Sequence, residues 1–155
     1  MAGTVEARLR DKGIELPQAA APQASYVPYV ISGNLVFVAG QLPMWNGEIR
    51  VRGKLGDAVP LEQGQEAARL CGLNLIAQVR EACGGDLDRV QRVVKLTGFV
   101  NSTPDYTDQP KVINGCSELM AEAFGERGQH ARAAVSAGAL PLGVAVEIEG
   151  IFEIA

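Results

Sequence analysis

The apolar positions change period several times along the chain, and each change marks an element. In the final VAVEIEGIFEI (144–154) they fall on alternate positions. Val144, Val146, Ile148, Phe152 and Ile154 point one way, and Glu147, Glu149 and Glu153 the other. A period of two belongs to a β-strand with unlike faces. HARAAVSAG (130–138) predicts a second strand, with Arg132, Ala134 and Ser136 on one face and Ala131, Ala133 and Val135 on the other. RVVKLTGFV (92–100) and NLVFVAGQLP (34–43) are further strands, the latter preceded by Gly33-Asn34 and closed by Pro43. Asn46-Gly47 is a two-residue hairpin signal, which makes EIRV (48–51) the returning partner strand.

Helical spacing appears twice at length. Over residues 62–83, Ala68, Cys71, Leu75, Ile76, Val79 and Ala82 make one apolar stripe, stopped by Gly84-Gly85-Asp86. Over residues 108–124, Val112, Cys116, Leu119, Met120 and Ala123 make another, ended by Gly125. A shorter helix is predicted over TVEARLRDKG (4–13), with Thr4 as its cap, Val5 and Leu9 on one side and Gly13 as its stop. LPQAAAPQASYVP (16–28) reads as an extended lead-in, RGKLGD (52–57) as a loop and STPDY (102–106) as a turn.

After the first helix the order is β-β-β-α-β-α-β-β. That order predicts an α+β sandwich: one mixed sheet with two helices packed on one face. The apolar residues of Leu35 to Ala39 fall on both faces of their strand, which favours burial of the open face by a partner subunit. A single domain over residues 1–155 is expected, with 1–25 forming the N-terminal helix and lead-in.

Composition narrows the function. The 155 residues are 47% hydrophobic, enough for a real core. No apolar run approaches the roughly 20 residues that span a bilayer, and the first residues lack a secretory core, so a cytoplasmic protein is expected. A net charge of −4 argues against a broad phosphate-binding face, so nucleic acid is not the expected partner. RVRGK (50–54) is the densest basic stretch and reads as a solvated hairpin end. Three cysteines without CxxC spacing read as reduced, buried thiols, and with one histidine they supply no zinc set. No phosphate-cradling glycine loop and no GxSxG motif is present. Neither a metal nor a cofactor is expected.

What remains is Arg132, one strong cation among small apolar residues on what reads as a central strand. Burying it requires an anionic partner. A structural ion pair with a strand glutamate would serve, and so would a bound carboxylate held by the planar fork of N–H donors. Glu147, in the middle of the last strand, could be its neighbour, a group that orients water, or one of several solvated strand acids.

YVPYVISGNLVFVAGQLP (26–43) and ARAAVSAGALPLGVAVEIEGIFEIA (131–155) resemble the YjgF/RidA family, also called the L-PSP or enamine/imine deaminase family. The resemblance runs from about Tyr26 to the end, and the N-terminal extension is similar to a longer branch of that family. It implies a chorismate-mutase-like fold, a homotrimer whose sheets form an inner barrel, and ligand clefts between subunits. By the same resemblance Arg132 binds the substrate carboxylate, Glu147 stands beside a bound water, and Tyr26 and Asn114 line the cleft. The spacing from Asn114 to Arg132 is one residue longer than usual. Ala39 stands where the family often has Ser, and Ala134 where it often has Cys; each removes a polar group from the expected cleft. The implied activity is hydrolysis of enamines and 2-imino acids to 2-keto acid and ammonia without a cofactor. The alternatives are a non-catalytic trimeric binder or sensor of small carboxylates and, with less support from the charge, an endoribonuclease.

Overall fold

The two apolar stripes become the helices that cover one side of a sheet. The computed structural model describes residues 3–155. Its elements are α1 (Thr4–Asp11), β1 (Tyr29–Ser32), β2 (Leu35–Gln41), β3 (Met44–Trp45), β4 (Glu48–Ile49), α2 (Leu61–Ala82), β5 (Val90–Asn101), α3 (Gln109–Phe124), β6 (Ala131–Ala137) and β7 (Val146–Ile154). The large sheet has the order β1-β2-β7-β5-β6, with β6 parallel to β5 and the other neighbours antiparallel. Val36, Val38, Leu96, Val100, Val146, Ile148 and Phe152 point inward to the helices and are buried. The opposite face carries Val30, Phe37 and Val135, which remain 52%, 42% and 46% exposed. No described helix is long and apolar enough to cross a membrane.

Four local expectations need correction. The hairpin at Asn46-Gly47 exists, with positive φ at both residues, but it joins β3 to β4 in a separate ribbon. The partner of β2 is β1, through a turn at Gly33-Asn34, because Tyr29–Ser32 supplies a longer run of β-formers than EIRV. Thr4 is the first helical residue of α1 and not its cap; Asp88, distant in sequence, accepts from the amides of Thr4 and Val5 at 2.9 Å each. The RVRGK stretch exposes Arg50 and Arg52 as a solvated end would, but it is not a free one. Arg52 Nε donates to the Leu142 carbonyl at 3.0 Å, and Lys54 Nζ reaches Asn101 Oδ1 at 2.7 Å and the Gly138 carbonyl at 2.5 Å. These bonds clamp the link between β6 and β7. Finally, β6 is an edge strand, not a central one.

The helices approach closely where α3 carries Gly115. A Cβ there would fall inside the contact radius of the Gln65 carbonyl on α2. This approach fixes the height of the neighbouring Asn114 above the sheet edge. Overpacking such a contact costs about 1–3 kcal/mol. Gly115→Ala is therefore expected to lower the unfolding free energy by that amount, read as a lower urea midpoint with the slope unchanged; an unchanged midpoint would mean that α2 and α3 are not held this tightly.

Candidate functional site

Arg132 lies opposite Leu96 in the β5–β6 register, so its side chain rises on the helix face of the sheet edge. There it meets α3. Nη1 donates to Asn114 Oδ1 at 2.8 Å and to Ser117 Oγ at 3.2 Å, and Nη2 donates to the Pro110 carbonyl at 3.2 Å. Asn114 and Ser117 are three residues apart on α3 and so share one helix face. A strand glutamate does not neutralise Arg132: the ion pairs among the described residues are Arg50–Glu48, Arg69–Glu122 and Lys111–Asp108. A guanidinium has five N–H donors. Three of them face the neutral acceptors of α3, which leaves Nε–H and one Nη2–H without an acceptor among the described residues. Cys116, beside this cluster, is fully buried; burial pushes its thiol up to about 12 although the charge of Arg132 works the other way. It stays protonated and is no nucleophile.

Glu147 occupies the other face. It lies opposite Phe99, which in turn lies opposite Val135, so these three share the open side of the sheet. Its carboxylate sits directly over Gly40, where a Cβ would overlap Oε2. Glu147 is half-buried, and its carboxyl is held above the usual carboxylate range by burial first and by the neighbouring Glu149 second. A groove runs past it, lined by Tyr26, Phe37, Leu142 and Glu149 among others. Leu142 adopts a positive φ of 59° in the clamped β6–β7 link, which turns its side chain outward. Tyr26 is 46% exposed, and its hydroxyl accepts from the Gln23 amide at 3.3 Å.

The four residues singled out in the sequence therefore form two pairs. Tyr26 and Glu147 share the groove on the open face, and Arg132 and Asn114 share the edge beside α3. Strand β5 separates β7 from β6, and the pairs lie on opposite faces, so one chain does not bring Glu147 next to Arg132. Sequence reasoning missed Gly40, Ser117, His130 and Lys54. Gly40 had a legible signal, since an isolated glycine in a strand marks a close approach. The other three are joined only by long-range contacts.

The model of the family described as "YjgF/chorismate_mutase-like, putative endoribonuclease" matches residues 6–152. The chain belongs to this YjgF family. Protein TCP17 of Trypanosoma cruzi is 48% identical over 153 residues, covering 98% of this chain and 95% of its own. The crystal structure of protein Atu1372 from Agrobacterium tumefaciens, described as of unknown function, is 50% identical with a TM-score of 0.91, over 97% of this chain and 92% of that one. The structure of Escherichia coli TdcF with bound serine is 27% identical with a TM-score of 0.62, over 90% and 94%. Both solved structures share the fold of this chain.

Two outcomes follow from the geometry at Glu147. Because its folded carboxyl titrates above the ordinary range, the folded state is favoured by the protonated form. Wild-type stability should then fall relative to Glu147→Gln as pH rises from the ordinary carboxylate range through the raised one. The gap should close at lower pH, where both side chains are neutral. Urea unfolding across that window tests this, and a gap independent of pH would contradict it. Gly40→Ala should displace the carboxylate, moving the Glu147 titration followed by carbon-13 NMR back toward the usual range.

Proposed function

We propose that the protein hydrolyses small 2-imino acids, and the enamines in equilibrium with them, to 2-keto acid and ammonia, in clefts formed between copies of the chain. The observation that carries this reading is the uncommitted edge of Arg132. Three neutral acceptors hold the guanidinium in place while two N–H donors stay open, which matches the two oxygens of one carboxylate. TdcF, a relative in fold, is named with bound serine, a small molecule bearing a carboxylate. The separation of the two residue pairs supports an assembly. A chain that offers Arg132 at its edge and Glu147 on an apolar open face places both against one ligand only when a second copy supplies one of them. The exposed Val30, Phe37 and Val135 are the kind of surface such an assembly covers. A homotrimer, as the resemblance implies, satisfies both needs.

In the mechanism the carboxylate rests on Arg132 with the C=N carbon turned toward a water beside Glu147. The raised affinity of Glu147 for protons suits it to take one from that water as oxygen bonds to carbon. The C=N π electrons move to nitrogen, giving a carbinolamine. Glu147 passes the water's proton to that nitrogen. It then takes the hydroxyl proton of the carbinolamine and delivers it to the amine, so that the C–N bond breaks, ammonia leaves and the C–O bond becomes the keto group. Imines hydrolyse readily, so positioning is the main requirement.

A non-catalytic carboxylate binder is the second reading. It is favoured by Ala134, which lies on the same strand face as Arg132 and packs against the core, adding no polar group to the site. An endoribonuclease fits less well with a net charge of −4 and one histidine.

Deleting one partner of a charged hydrogen-bonded pair costs about 2–5 kcal/mol of binding. Arg132→Ala should therefore lose 2-iminobutyrate hydrolysis, with Arg132→Lys recovering only part because lysine lacks the fork. Its melting temperature should stay near that of wild type, since no carboxylate is stranded. A collapsed melting temperature would make Arg132 structural. Wild type that gives no turnover, yet is stabilised by 2-oxobutyrate, would select the binder.

A further inference from the structure

His130 has no role assigned so far, yet through Ser117 it joins the Arg132 cluster in one directed chain of hydrogen bonds. His130 Nδ1 lies 2.6 Å from the Gly128 carbonyl, and His130 Nε2 lies 2.8 Å from Ser117 Oγ. A carbonyl can only accept, so Nδ1 carries the proton. In the neutral ring Nε2 is then an acceptor, and the Ser117 hydroxyl must donate to it. That direction leaves the lone pairs of Ser117 Oγ to receive Arg132 Nη1 at 3.2 Å. Gly128 is itself fixed: it is buried, and a Cβ there would overlap the Met120 carbonyl of α3. The chain thus runs from Arg132 through Ser117 and His130 to a backbone carbonyl anchored against the same helix.

We propose that His130, acting through Ser117, is a positioning residue for Arg132: it fixes the direction of the serine hydroxyl so that the guanidinium is held by its Nη1 side and presents its Nε side to the ligand. Resting on the carboxylate-binding reading above, this explains why an arginine on an edge strand keeps a single orientation without an ion pair. Without the acceptor on His130 the hydroxyl is free to turn its proton toward Arg132 or toward the helix backbone, and the lone pair is no longer reserved for Nη1. A serine within a helix readily makes such local bonds to the backbone. Asn114 and Pro110 remain, so the site loosens without being lost.

The variants are Ser117→Ala, His130→Phe, which removes the ring acceptor, and His130→Gln, whose amide oxygen can still accept from Ser117. Two readouts are taken on each full-length protein. The first is 2-iminobutyrate hydrolysis. Losing a hold worth about one neutral hydrogen bond should raise KM roughly two- to tenfold in Ser117→Ala and His130→Phe. The kcat should stay within about twofold, as for an interaction made equally in ground and transition states. His130→Gln should return KM toward wild type. The second readout needs no turnover: nitrogen-15 NMR of labelled arginine, with the Arg132 signal assigned by its absence from Arg132→Lys. Rotation about the Cζ–Nη1 bond should be slow in wild type, faster in Ser117→Ala and His130→Phe, and slow again in His130→Gln. If wild type is inactive, the deaminase reading falls while the NMR comparison still decides this inference. Unchanged KM and unchanged rotation in His130→Phe would overturn the inference and leave the deaminase reading standing. Lower stability in both His130 variants, with no rescue by glutamine, would reduce His130 to a structural residue and overturn it as well.

Discussion

The grip of α3 on Arg132 is the interaction on which the rest of the site depends. A guanidinium at the edge of a sheet would ordinarily turn toward water or toward an acid. Here Asn114, Ser117 and the Pro110 carbonyl hold it without neutralising it. The positive charge is therefore still available to an anion, and its direction is already set. Much of the surrounding fold maintains this arrangement. Gly115 lets α3 lie close to α2, the β5–β6 register brings residue 132 under the helix, and Gly128 seats the turn that leads into β6.

The opposite side of the sheet is built on a complementary principle. Glu147 is set among apolar residues with a second acid close by, and both features favour its protonated form. Gly40 gives it room, and the clamp of Arg52 and Lys54 on the β6–β7 link holds Leu142 over the same groove. One side of the sheet thus offers a fixed cation and the other a carboxylate with raised proton affinity. A thickness of sheet and the width of β5 stand between them, which is why the chemistry proposed for the protein requires more than one copy of the chain.

The long elements were legible because their periods were unambiguous. Both helices fall within a residue of their expected limits, and β7 alternates as its sequence does. The choice of partners was less legible. Asn46-Gly47 is a genuine hairpin turn, but turn chemistry fixes only two residues and cannot say how far pairing continues. Arg132 and Asn114 could be singled out, Asn114 through the resemblance alone; that an arginine between alanines sits on an edge strand could not be read from alternation, which is the same at an edge and in the middle. Ser117 and His130 were invisible for a related reason. Their bond depends on where the turn before β6 places the ring, and no local pattern encodes that.

The central claim is that Arg132 and Glu147 act on one ligand from different copies of the chain. The most direct measurement is complementation between Arg132→Ala and Glu147→Gln, each purified, then unfolded and refolded together. In a mixed assembly some clefts combine the intact Arg132 of one variant with the intact Glu147 of the other. The account predicts that each variant alone lacks 2-iminobutyrate hydrolysis and that the mixture regains a fraction of wild-type activity. Mixed assemblies that form, as seen by native mass spectrometry, yet remain as inactive as their parents would contradict it.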